Sequence, residues 1–176
     1  AKPLTGTTAA HGAALIAEMS LLATQSMFAM MMENDMRFVA SNGTLMRLVR
    51  EGELDFGFTD TDDCKAAIDQ GFPVVQVVPD QGPDQPGVLI IPNTVGMIAG
   101  APHEEAAKRL IDYLLSHEVE RMLAHGPSAQ IPVRDAVERP DDVLDLSDYK
   151  LMEVDWADVG RAYSLHAGDL EAFFNQ

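Results

Sequence analysis

The 176-residue chain has a single cysteine, Cys64. An internal disulfide and a cysteine-based zinc site are thereby excluded. No apolar run reaches the roughly 18–20 residues that a membrane span needs, so membrane insertion is not expected. Basic residues are scarce. Twelve lysines and arginines stand against 28 aspartates and glutamates, a formal net charge of −16. A field of that sign repels nucleic acid and anionic lipid, so neither is an expected partner. Several catalytic signatures are missing as well. There is no Gly-x-Ser-x-Gly elbow and no Gly-x-x-x-x-Gly-Lys-Ser/Thr phosphate loop. His11, His103, His117, His125 and His166 include no pair at the i, i+4 spacing of helical zinc ligands. Nothing calls for a cofactor.

What is present is a globular composition: 47% apolar and 23% charged residues, enough to bury a core. The acidic excess is uneven. Residues 135–176 carry 11 acids and 3 bases, net −8, whereas the much longer stretch 1–134 carries 17 acids and 9 bases, also net −8. Val143, Leu144, Leu146, Leu151, Val154 and Trp156 are spread among the acids of the tail, so the tail should pack. The expected organisation is an α/β lobe over 1–134 and an acidic segment over 135–176 whose terminal helix packs on it. The opening Ala1-Lys2-Pro3-Leu4 has no initiating methionine and reads as the interior of a fold.

Periodicity predicts the elements. Leu15, Ile16, Met19, Leu22 and Ala23 form one stripe in a helix over 8–19 that Ser20 interrupts. Met27, Phe28, Met31 and Met32 continue the helical spacing over 24–33, as adaptable core filler. Asn42-Gly43-Thr44 caps a helix that Gly52 ends, and Asp60 caps another from Thr61 to about Gln70, closed by Gly71. Pro102 stands at a helix start. Residues 103–115 and 117–124 read as two helices, with Ser116 capping the second. Trp156–Phe174 reads as a last helix with a break near Gly168. Strands are expected at 36–40, 54–58, 74–78, 88–91 and 94–98, separated by the Pro79–Gly87 loop among others.

Strands alternating with helices imply an α/β fold with a mostly parallel central sheet. Ligands of such sheets sit beyond the carboxyl ends of the strands. Three polar turns fall at such ends, at Thr5–Thr8, Ser41–Thr44 and Thr59–Asp63, and each opens a helix. Each offers free backbone N–H groups, the positive end of a helix dipole, and hydroxyl, amide or carboxylate side chains. The candidate ligand-binding residues are therefore Thr7, Thr8, Asn42, Thr44, Asp60, Thr61 and Asp62. His11, in the first helix, lies near this expected cleft.

The string NGTLMRLVREGELDFGFTDTDDCKAAIDQ, from Asn42 to Gln70, resembles the second lobe of bacterial extracellular solute-binding proteins. These are the substrate receptors of ABC importers, here of the group named for ferric iron and related solutes. The opening AKPLTGTTAAHGAAL resembles the start of that lobe, and the stretch from Pro79 to Leu123 resembles its hinge-crossing strand and helix pair. SAQIPVR at 128–134 resembles its closing segment. The resemblance implies a type II periplasmic-binding-protein-like lobe with hinge strands near 88–98, a periplasmic or extracellular location, and an ABC permease as partner in the full-length protein. The implied function is capture of a small polar solute, either an anion such as a phosphonate or carboxylate, or a metal ion, without catalysis. The family is nearly twice this long, so the resemblance also implies that a first lobe is missing. Exposed hinge strands would then invite a homodimer. Iron-binding relatives use adjacent tyrosines, whereas Tyr113, Tyr149 and Tyr163 are isolated.

Two other readings compete. Asp60-Thr61-Asp62 after an apolar strand resembles the first motif of haloacid-dehalogenase-type phosphatases, which are Mg²⁺-dependent. That family has a threonine where Cys64 stands. The other rival is a non-catalytic, oligomerising module that takes no ligand.

Overall fold

The structure is a computed structural model that describes residues 4–175. The opening Ala1-Lys2-Pro3, read above as the interior of a fold, lies outside the described residues. Among these residues are seven α-helices: α1 (Gly6–Met19), α2 (Leu21–Glu33), α3 (Asn42–Arg50), α4 (Thr61–Asp69), α5 (Glu104–Leu114), α6 (His117–His125) and α7 (Trp156–Phe174). A 3-10 turn spans Leu146–Asp148. The chain forms two compact units. One gathers the chain up to Asp60, Val78–Ile91 and the stretch from Lys150 onward; the other comprises Thr61–Val77 and Pro92–Tyr149.

The expected parallel sheet does not form. The only backbone pairing of strand type among the described residues is an isolated parallel bridge between Val88 and Leu151. It is closed by Val88 N–H to the Lys150 carbonyl and Met152 N–H to the Val88 carbonyl, both at 2.9 Å. The fold is helical, and the α/β lobe with a central sheet is overturned. The physical reason is that alternation assigns faces but cannot supply a neighbour. A strand exists only where a second chain segment lies about 4.8 Å away and exchanges hydrogen bonds. Parallel strands must also be buried on both faces. Here Phe56 and Val75 are each 80% exposed, and Phe58 and Val77 also face solvent.

The first unit is built on α1 and α7. Ala9, Gly12, Ala13 and Ala14 keep one side of α1 thin, and Ala13 and Ala14 are fully buried. Against that side α7 lays Val159, Ala162, Leu170 and Phe174, a stripe at helical spacing. Val159 packs with Ala13 and Ala14, and Ile16 with Ala162, Leu170 and Phe174. Phe174 is ringed edge-on by Phe28, Phe38 and Phe173, with centroids 5.1, 4.9 and 4.9 Å away. Gly168 does not break α7, because an exposed helical glycine costs only about 1 kcal/mol relative to alanine.

Helix ends follow local chemistry. Ser20, at φ +86°, separates α1 from α2 and accepts the Ala23 amide on its hydroxyl. Glycine at positive φ closes α3 at Gly52: the Gly52 and Glu53 amides turn back to the Val49 and Leu48 carbonyls. Gly71 closes α4 by the same pair of bonds, to Ile68 and from Phe72 to Ala67. Asp35 does this at the end of α2 with a side chain attached, at φ +62°.

In the second unit, Ser116 caps α6 by accepting the Val119 amide at 3.3 Å. Glu120 accepts the Val133 amide at 2.7 Å, the Arg134 amide at 3.0 Å and the Arg134 guanidinium. Burial pushes the Glu120 carboxyl up, but the guanidinium and the two amides outweigh it and hold the group below the ordinary carboxylate range. Val133 and Arg134 are thus pinned to α6 through one side chain.

Candidate functional site

Within the first unit the heads of α1 and α3 meet the end of the segment that leads to Asp60. The Thr7 hydroxyl donates to Asp60 Oδ2 at 3.0 Å. Asn42 Nδ2 donates to the same oxygen at 2.8 Å and approaches Thr7 Oγ1 at 3.4 Å. All three side chains are half-buried. Two donors, 53 and 18 positions from Asp60, therefore share one acceptor oxygen.

Local folding explains why Asn42 is available. The cap of α3 is Ser41, not Asn42: Ser41 Oγ accepts the Thr44 amide at 3.1 Å and lies 2.9 Å from Thr44 Oγ1. Asn42 is the first helical residue, and its amide turns to Asp60. Thr5, the cap residue of α1, makes no side-chain cap bond. Neither α1 nor α3 carries an acid in its first turn. Asp60 thus supplies the negative charge that both helix heads favour.

His11 stands four residues after Thr7 on α1, hence on the same helix face one turn further in. The charges acting on its ring are the carboxylates of Asp80 and Asp60. Burial disfavours the imidazolium and outweighs both carboxylates, so the ring titrates below its ordinary value. Four basic residues of the unit have partners of their own. Arg47 pairs with Glu51, Arg37 binds the Glu53 carbonyl at 3.0 Å, Arg161 pairs with Asp158, and Lys150 Nζ binds the Pro83 and Gln85 carbonyls. Two carboxylates beside a neutral imidazole give the locality a negative field.

Of the seven residues singled out from the sequence, Thr7, Asn42 and Asp60 form the hydrogen-bonded trio. Thr8 follows Thr7 on α1, and Thr44 is bound to Ser41. Thr61 and Asp62 open α4 in the other unit, where Asp62 and Asp63 are the acidic first turn that a helix dipole favours. Asp80 was not foreseen: it lies in a Pro- and Gly-rich loop, where composition signals a turn and nothing more.

The family model for bacterial extracellular solute-binding proteins matches residues 10–152. The chain belongs to that family. Curated relatives in Salmonella typhimurium (strain LT2) and Salmonella typhi, each named "Putative 2-aminoethylphosphonate-binding periplasmic protein", are 32% identical over 103 residues. That match covers 58% of this chain and 30% of the length of those relatives. No solved structure matches the chain significantly. Among the described residues, no helix is long and apolar enough to cross a membrane.

Proposed function

We propose that this chain takes part in capturing a small zwitterion, an amine-bearing phosphonate of the 2-aminoethylphosphonate type, for import through an ABC permease from the periplasm. The role is binding, in keeping with a family of solute receptors. The observation that carries the reading is the pair of carboxylates, Asp60 and Asp80, acting on His11 while Arg37, Arg47, Arg161 and Lys150 are engaged elsewhere. A bare dianion would meet an unfavourable field there, whereas an ammonium group would be drawn in.

Both Thr7 and Asn42 bond Oδ2 of Asp60, and a carboxylate has about four lone-pair sites, so acceptor capacity remains for an ammonium. The phosphonate end would take the hydroxyls of Thr8 and Thr44 and the first-turn amides of Thr7, Thr8 and Asn42, where two helix heads favour anionic oxygen. Thr61 and Asp62 are left out of this assignment. The relatives' name supports the solute class; the charge accounting supports which end meets which side chain.

Isothermal calorimetry on the 176-residue chain at neutral pH tests this. Saturable binding of 2-aminoethylphosphonate is expected. Methylphosphonate, which lacks the amine, should bind roughly 10- to 100-fold more weakly, the worth of one charge-assisted hydrogen bond. Asp60→Asn should weaken 2-aminoethylphosphonate by a similar factor. No uptake, or equal affinity for the two phosphonates, would reject the assignment.

A further inference from the structure

Resting on the capture reading above, we propose that His11 makes solute capture proton-linked. With His11 neutral, Asp60 and Asp80 present their full charge to the solute's ammonium; with His11 protonated, an internal cation competes for the same carboxylates. Capture then weakens on acidification.

The geometry begins at Thr7. Its hydroxyl is bonded to Asp60, and His11 is one helical turn further along the same face. Asp60 arrives from the segment before α4, and Asp80 from the loop that begins at Pro79. The remaining charged groups on the elements packed against α1 are paired or exposed, Glu153 beside Val154 among the exposed ones. On α7, Asp155 accepts the Ala157 amide at 2.7 Å, Asp158 pairs with Arg161, His166 lies 2.9 Å from Asp169, and Glu171 is exposed. The one charged residue of α2 is Glu33, exposed at its far end, and α1 itself adds only Glu18, also exposed. Asp80 and Asp60 are the two carboxylates that act on the imidazole. Burial keeps the ring neutral at neutral pH and the two carboxylates favour its charged form, so acidification converts the ring from bystander to competitor.

The first experiment needs no ligand. The His11 ring resonances of the wild-type chain are followed by NMR from pH 8 to pH 5. The midpoint should lie below that of an ordinary histidine, and the Asn42 side-chain amide signals should shift with the same midpoint. Asp60→Asn and Asp80→Asn should each lower the midpoint further, since each removes a charge that favours the imidazolium. A His11 midpoint unmoved by both variants, or an Asn42 amide indifferent to it, overturns the proposal. The second experiment measures 2-aminoethylphosphonate affinity at pH 7.5 and at a pH below the His11 midpoint that the NMR titration gives. Wild type should lose about fivefold more affinity than His11→Gln, roughly the effect of one unit charge a few ångströms away at an effective dielectric of some tens. The variant carries the ligand's own titration and so subtracts it. Equal losses in the two proteins overturn the proton linkage and leave the capture reading standing. No uptake at either pH overturns both. If His11→Gln fails to fold, His11→Asn serves in its place, and the wild-type NMR arm is unaffected.

Discussion

Leu45 lies directly over Gly57: a Cβ built on the glycine would fall 2.5 Å from Leu45 Cδ1 and 2.8 Å from its Cγ. Leu45 is the buried residue of α3, one turn after Asn42, and Gly57 precedes Asp60 by three residues. The contact therefore sets how closely the Asp60 segment approaches the head of α3. Gly57→Ala should force Leu45 aside and cost about 1–3 kcal/mol, the usual penalty of overpacking. It should also lengthen the Asn42–Asp60 bond, now 2.8 Å. Urea unfolding reads the first effect and the Asn42 side-chain amide shift reads the second. Unchanged stability and an unchanged amide signal would show that the leucine yields freely.

The shared acceptor makes Asn42→Asp informative. The substitution is nearly isosteric, but it replaces a donor 2.8 Å from Asp60 Oδ2 with a second carboxylate. Two carboxylates at that separation cannot both ionise cheaply, so one of the pair should titrate well above the ordinary range. A carboxyl raised in the folded state contributes stability that is present at acid pH and lost as pH rises through the folded value. Asn42→Asp should therefore be close to wild type near pH 4 and clearly less stable at pH 7. Unfolding midpoints at the two pH values check this. A deficit of equal size at both would mean that the two carboxylates do not face each other.

The helices were legible because their signals are local. Trp156–Phe174 was placed as the last helix, and the ends of α3 and α4 follow from Gly52 and Gly71, whereas the Asp155 cap of α7 was not foreseen. The strands were misread because the alternation in Leu54-Phe56-Phe58 reports a face and says nothing about a neighbour. Phe56 and Phe58 lie exposed, with no ladder beside them. At the candidate site, the polar turns at Thr7, Asn42 and Asp60 could be picked out by residue type. Their sharing of one oxygen could not, since it depends on contacts across 18 and 53 residues. The capping role was placed one residue late, on Asn42 instead of Ser41, because serine and asparagine are equally good caps and propensity does not separate adjacent candidates.

His11 should leave a signature in stability as well as in binding. Burial is the first cause of its lowered titration, with Asp80 and Asp60 opposing it. The unfolded chain takes up the proton near the ordinary value of 6.5, and the folded chain only at lower pH. Between those two points the unfolded state binds more protons, so this group's contribution is complete above 6.5 and declines as pH falls through the folded value. His11→Gln removes that contribution. Its unfolding midpoint should fall less than that of wild type between pH 7.5 and pH 5.5. Parallel losses in the two proteins would place the acid sensitivity elsewhere.

Phe174 closes the core of the first unit from the last turn of α7. It is 6% exposed, and it contacts Ile16 and Leu170 as well as the rings of Phe28, Phe38 and Phe173. Edge-to-face pairs add about 0.5–1.5 kcal/mol beyond the area they bury, and removing a buried phenylalanine costs about 3–5 kcal/mol. Natural domains hold only about 5–15 kcal/mol in total. Phe174→Ala should therefore remove a large share of the stability, whereas Phe174→Leu, which refills most of the volume, should cost clearly less. Phe173→Ala is the control: Phe173 is only half-buried and packs on the outside of the same cluster. Denaturant midpoints should fall in the order Phe173→Ala, Phe174→Leu, Phe174→Ala, with the last the most damaging. If Phe174→Ala melts like Phe173→Ala, α7 is not held by its terminal aromatic cluster, and the weight of the α1–α7 contact rests on Val159 and Ala162 instead.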